Sequence, residues 1–250
     1  MQKALIAILA VVLFSCDPTT EEKEADTHEA NLKWADMISN GKNPSGQYLK
    51  EAVFVNDQGD FLTGNDNAIL WVGEDAEIGR IYSLFDKLAR ENRGIYYEIG
   101  GFETDQESFK HLIIWRKQDS VRYRELELIS RADSSDLSEI LPMIDEKRDQ
   151  WMKYCNAHLV DSLAHKVYDS LTLYYNHKPM VVGREDLIRE YQYMANPNYN
   201  LQLTPYIVEP VNENIVFEIG QCSGSYGGMY TIVWRRQPDG DWLVLLDSNI

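Results

Sequence analysis

One short stretch of this chain occurs twice: "YEIGGF" at 97–102 and "FEIGQC" at 217–222. The same shift, about 120 residues, lays "LTGNDNAI" (62–69) on "VVGREDLI" (181–188) and "AVFVND" (52–57) on "TLYYNH" (172–177). It also lays "HLIIWRKQ" (111–118) on "YTIVWRRQ" (230–237), and Trp34 and Trp151 stand at nearly the same offset upstream. Matches that keep one order, with single-residue slips between them, mark a duplication. Solenoid repeats run to about 50 residues, so a unit of this length is a domain in its own right. The repeat therefore predicts two copies of one module, over 29–131 and 138–250, joined through "ADSSDLSEILP" (132–142).

Both copies share a local pattern. In the second, "LSEILPMIDEKRDQWMKYC" (137–155) puts Ile140, Ile144, Trp151 and Cys155 near one helical face. A shorter amphipathic stretch, "LVDSLAHKVY", leads to a strand, "SLTLYYN", and Gly183 marks a turn before a third helix, "REDLIREYQYMA". The rest reads as strands, "LQLTPYIVEP", "NIVFEIGQC", "MYTIVWRRQ" and "WLVLLDSN", linked by turn residues. Helices first and a sheet afterwards make an α+β domain. The first copy is the more degenerate. "GKNPSGQ" (41–47) replaces its second helix, and Ile81, Leu84, Phe85 and Leu88 in "RIYSLFDKLAREN" (80–92) share a helical face where the second copy has a strand. Either tertiary context turns this segment into a strand or the copy lacks one.

The element order, with "GREDLI" (183–188) after the first strand and "YTIVWRRQPDGDW" (230–242) near the end, resembles the SnoaL-like branch of the nuclear transport factor 2-like superfamily. The resemblance covers 138–250 and reaches 29–131 through the repeat. It implies two tandem cone-shaped domains, each with N-terminal helices packed on a curved antiparallel sheet and a pocket between sheet and long helix. The homodimers common in that superfamily imply pairing of the two sheets within one chain, or of two chains. Activity is not implied, because the same cone serves isomerases, cyclases, dehydratases, binding modules and transport factors.

The N-terminus carries an address. After Lys3, "ALIAILAVVLF" (4–14) is too short to span a bilayer as a helix but suits the core of a secretion signal. It ends in "LFSC" (13–16), which resembles a bacterial lipoprotein signal. That resemblance implies a signal peptide over 1–15, cleavage before Cys16, diacylglycerol on the sulfur and a further acyl chain such as palmitate on the amine. The alternative is an ordinary signal peptide with an incidental cysteine. Residues 16–28 are acidic and free of large apolar side chains, as a solvated membrane tether should be. The expected location is the bacterial cell envelope, outside the cytoplasm. Cys155 and Cys222 alone would remain and are expected to stay unpaired. A net charge of −16 without a basic run argues against nucleic acid as a partner.

Glu98 and Glu218 are the repeated carboxylates. Facing the cone interior, either could serve as a general base; facing outward, each is a solvated glutamate. Gly100 and Gly220 follow at plus two and predict close backbone approach. His111 and Tyr230 occupy equivalent positions and would be the donors beside such a base. Tyr97, Trp115, Phe217 and Trp234 are candidates for lining a pocket for a flat apolar ligand, with Arg235 for an anionic group. Otherwise the tryptophans are packing anchors and the arginine is solvated. His158, Asp161 and His165 can share a helix face, but nothing nearby completes a metal ligand set. No metal or cofactor is expected. These features predict an envelope lipoprotein that binds a small apolar or amphipathic molecule, or a partner protein, without catalysis. The alternatives are an isomerase- or cyclase-like enzyme with Glu218 or Glu98 as base, and a purely structural module with filled cones.

Overall fold

The structure, a computed structural model, describes residues 19–68, 77–177 and 179–250, and side chains from residue 27 onward. The signal stretch and Cys16 lie outside the described residues. A long helix, α1 (Thr19–Ser39), takes in most of the acidic stretch 16–28. Its buried residues Trp34, Ala35 and Ile38 lie on one face. A 3-10 turn (Pro44–Gln47), capped by the Asn43 side chain, stands where the second copy has a helix. Then come β1 (Tyr48–Val55), β2 (Phe61–Thr63), β3 (Ile78–Arg90), β4 (Ile95–Thr104), β5 (Ser108–Gln118) and β6 (Val121–Arg131). The second copy opens with α2 (Leu141–Asn156) and α3 (Val160–Lys166), then β7 (Tyr168–Tyr175), β8 (Val181–Val182) and α4 (Arg184–Glu190). It closes with β9 (Leu201–Asn212), β10 (Ile215–Gly224), β11 (Gly228–Arg236) and β12 (Trp242–Ser248).

The strand orders are β2-β1-β6-β5-β4-β3 and β8-β7-β12-β11-β10-β9, the same order displaced by six strands. Each copy is thus an α+β module with its long helix against its own sheet: α1 packs on β3 and β6, α2 on β9 and β12. The sheets are mixed rather than wholly antiparallel, which corrects the expectation taken from the resemblance. β1 runs parallel to β6, and β7 to β12. Parallel neighbours need a long connection, and the whole meander lies between the paired strands in each copy. Gly64 and Gly183 repeat the same turn: both have positive φ, 98° and 81°, and donate their N–H to Ala52 and Thr172, each at 2.8 Å.

Residues 78–90 form a strand despite their helical apolar spacing. β3 pairs antiparallel with β4 along its length, and Phe85 stacks on Tyr206 of the second sheet. These tertiary contacts outweigh a local periodicity.

Both faces of each sheet are covered. Ile215, Phe217 and Ile219 of β10 join Ile95, Tyr97 and Ile99 of β4 in one apolar cluster shared by the two sheets. The intervening Val216 turns the other way, into a cluster with Trp151 of α2. At the ends of this shared layer the contacts are reciprocal. Arg116 of the first copy meets the His177 ring at 2.7 Å, and Arg235 of the second donates to the Gln58 carbonyl. Equivalent arginines thus reach the equivalent loop of the other copy, the relation that a two-fold axis between the copies produces.

Candidate functional site

Strand alternation places Glu98 and Glu218 on the helix-facing side of their sheets, where both are fully buried. Glu218 is saturated with donors. Arg148 of α2 reaches Oε1 through Nε at 2.7 Å and Oε2 through Nη2 at 3.0 Å, while Tyr230 and Trp234 add bonds of 2.7 and 2.8 Å. Burial alone would lower the Arg148 pKa, but the bonds and charge of Glu218 outweigh it and raise it. Glu98 accepts from Asn31 and Trp115, each at 2.8 Å. His111, fully buried, lies 3.8 Å from Glu98 Oε1, within ion-pair distance but beyond hydrogen-bond reach, and neither ring nitrogen has a hydrogen-bond partner among the described residues. Both glutamates therefore tie a long helix to its sheet. Each of the four carboxylate oxygens thus already accepts at least one hydrogen bond, out of contact with water.

The other candidates divide by face. Trp115 and Trp234 anchor the glutamates on the helix side. Phe217 and Tyr97 point the opposite way, into the layer between the sheets, where Tyr97 Oη accepts from Ile250 N at 3.1 Å. Arg235 holds Asp169 at 2.6 Å as well as Gln58, so it clasps the two copies together. His158 and His165 each set Nδ1 against a backbone carbonyl, of Met194 and Asp161. No cluster of three or more potential metal ligands occurs among the described residues. Cys155 and Cys222 are both free.

A cavity of about 400 Å³ opens in the second copy, on the helix side of its sheet. Its walls include Tyr174, Tyr191, Tyr193, Tyr199, Tyr226 and Tyr230, with Trp151, Met194, Leu201 and Leu203. Tyr226, 60% exposed, marks the open side; Asp247, 2% exposed, lies at the closed end. Arg90 reaches the wall from the first copy and donates through Nε to the Ile250 carbonyl at 2.7 Å.

Asp247 is the group that strand parity alone did not single out. Its Oδ2 accepts from Tyr168 at 2.8 Å and from Tyr191. Its Oδ1 takes no hydrogen bond from a described residue. Burial pushes this carboxyl up to about 6 against the pull of the two phenols. The Trp151 indole N–H is likewise buried without a partner among the described residues. In the sequence a shift of 119 lays Asp247, inside the apolar "WLVLLDSN", on Leu128 and a shift of 120 lays it on Glu127, and the sheet registers select Glu127. Glu127 is buried too and accepts from Tyr48 Oη at 2.6 Å.

No family model matches the chain, and no curated protein is similar to it. Solved structures similar to it include a ketosteroid isomerase-like protein from Erwinia carotovora atroseptica, with 14% identity over 46% of this chain and 98% of that one, TM-score 0.35. A putative dehydratase of the NTF2-like family from Streptomyces avermitilis shows 14% identity over 46% and 99%, TM-score 0.37. An NTF2-like superfamily protein from Salmonella enterica shows 13% identity over 46% and 92%, TM-score 0.39. Each is matched over nearly its whole length by less than half of this chain.

Proposed function

We propose that this chain is a lipid-anchored protein of the bacterial envelope whose second copy binds a small, largely apolar or amphipathic molecule without transforming it. The cavity carries this reading: aromatic and aliphatic walls for an apolar body, with one free acceptor, Asp247 Oδ1. Mostly apolar cavities of this size with a few convergent polar groups suit small ligands. Binding is favoured over glutamate-based catalysis because the oxygens of Glu98 and Glu218 are already committed to tryptophan, asparagine, tyrosine or arginine donors. The address rests on the signal-like residues 1–15 and on Cys16.

A thermal-shift screen of small amphipathic metabolites tests the binding half. Hits should raise Tm in the native protein and not in Leu203→Trp, which fills the cavity; a screen with no such hit counts against it. Mass spectrometry of the native N-terminal peptide tests the address, and an unmodified Cys16 would overturn it.

A further inference from the structure

The two copies treat the same buried carboxylate differently. Glu127 of β6 stands opposite Phe54 of β1, and Asp247 of β12 stands opposite Tyr174 of β7, so the two acids share one register position. In the first copy the charge is met from within the chain. Arg124 contacts Glu127 through Nη1 and donates through Nη2 to Asn31 Oδ1 at 2.7 Å. Its guanidinium lies 4.2 Å from the Trp34 ring centre, 5.1 Å from Trp115 and 5.8 Å from Tyr48. This is a cation boxed by aromatic rings and closed by a carboxylate, an arrangement that ring quadrupoles favour.

The second copy keeps the aromatic positions and the carboxylate but has lost the cation, and its three rings pack on one another instead. Tyr48 and Trp115 both stand opposite Arg124 in their ladders; Tyr168 and Trp234 both stand opposite Val244. Trp151 packs edge-on against Tyr168 and Trp234, at 4.9 and 6.1 Å between ring centres. Arg148 is committed to Glu218 and Asp145. Asp247 therefore has no ion-pair partner among the described residues, and the cavity opens beside it.

We propose that the second copy binds an organic cation, an ammonium or guanidinium group carried on an apolar body, with its charge against Asp247 Oδ1 inside the tyrosine-walled cavity. The ligand supplies what Arg124 supplies in the first copy. A buried carboxylate with no countercharge is costly, and a neutral hydroxyl relieves that cost less than a cation does. Arg90 in the cavity wall disfavours a second positive charge there, so the fitting ligand is a monocation. This inference rests on the cavity being a ligand site, and its test separates the two.

Isothermal titration at pH 8 with phenethylamine, 2-phenylethanol and phenylacetate compares a cation, a neutral group and an anion on nearly one body. Phenethylamine should bind roughly tenfold tighter than 2-phenylethanol or better, and phenylacetate most weakly. Asp247→Asn should remove the preference, so that amine and alcohol bind alike. Alcohol binding as tight as amine binding, or an amine preference that survives Asp247→Asn, overturns the cation and leaves the apolar site standing. Binding of none of the three overturns both. If the variant does not fold, the amine-to-alcohol ratio of the native protein decides.

Discussion

Arg148 grips Glu218 by both oxygens, Nε to Oε1 at 2.7 Å and Nη2 to Oε2 at 3.0 Å, with both residues out of water. A buried pair need not add net stability, but half of one is strongly destabilising, because the remaining charge sits out of water with only the exposed Asp145, at 2.7 Å, to meet it.

Glu218→Gln should therefore cost about 3–5 kcal/mol. Urea unfolding of variant and native protein measures this, and Arg148→Met combined with Glu218→Leu should recover most of the loss. A cost under about 1 kcal/mol would mean that the pair does not hold the helix.

Gly220 is small because Tyr230 crosses it. A β-carbon there would stand 2.4 Å from Tyr230 Oη and 2.6 Å from the Thr204 carbonyl oxygen. The backbone carbonyl cannot move cheaply, so Gly220→Ala should cost about 1–3 kcal/mol and displace Tyr230 from Glu218. A Tm equal to the native value would contradict this packing. Gly100 is under the same constraint from the Tyr82 carbonyl, at 2.5 Å.

Burial lifts the Asp247 carboxyl from 3.8 to about 6. Between those values the folded chain holds a proton that the unfolded chain has released, so stability falls as pH rises through the window. At about 1.4 kcal/mol per unit the fall is roughly 3 kcal/mol. Asp247→Asn removes this dependence. The stability of the variant minus that of the native protein should grow by about 2–3 kcal/mol from pH 4 to pH 7. A difference that stays flat with pH would refute the raised carboxyl.

Phe217 is fully buried between the sheets, away from the cavity. Phe217→Ala should cost about 3–5 kcal/mol, read by urea unfolding, while a cavity-binding amine keeps its affinity in the folded variant. Lost affinity at full occupancy of the folded state would show that the two faces are coupled.

The sequence carried a good part of this. The 120-residue period gave the duplicated module, and the turn glycines and apolar runs gave nearly every strand of the second copy. The repeated glycines after Glu98 and Glu218 announced close backbone contact, and the contacts of Gly100 and Gly220 supply it. The segment 80–92 was not decidable from its own residues, because a helical apolar face and a strand that packs on both sides can share one pattern.

What a strand faces is a different matter. Alternation separates Phe217 from Glu218, but it does not say which side meets the other copy and which meets the helix, since both sides are apolar and buried. Nor does it say which acid lacks a counterion. That depends on Arg148 reaching Glu218 across 70 residues, and on Val244 standing where Arg124 stands in the other copy. Periodicity along a chain encodes the local geometry of its elements; the pairing of charges is set by distances that exist only once the sheets have closed on their helices.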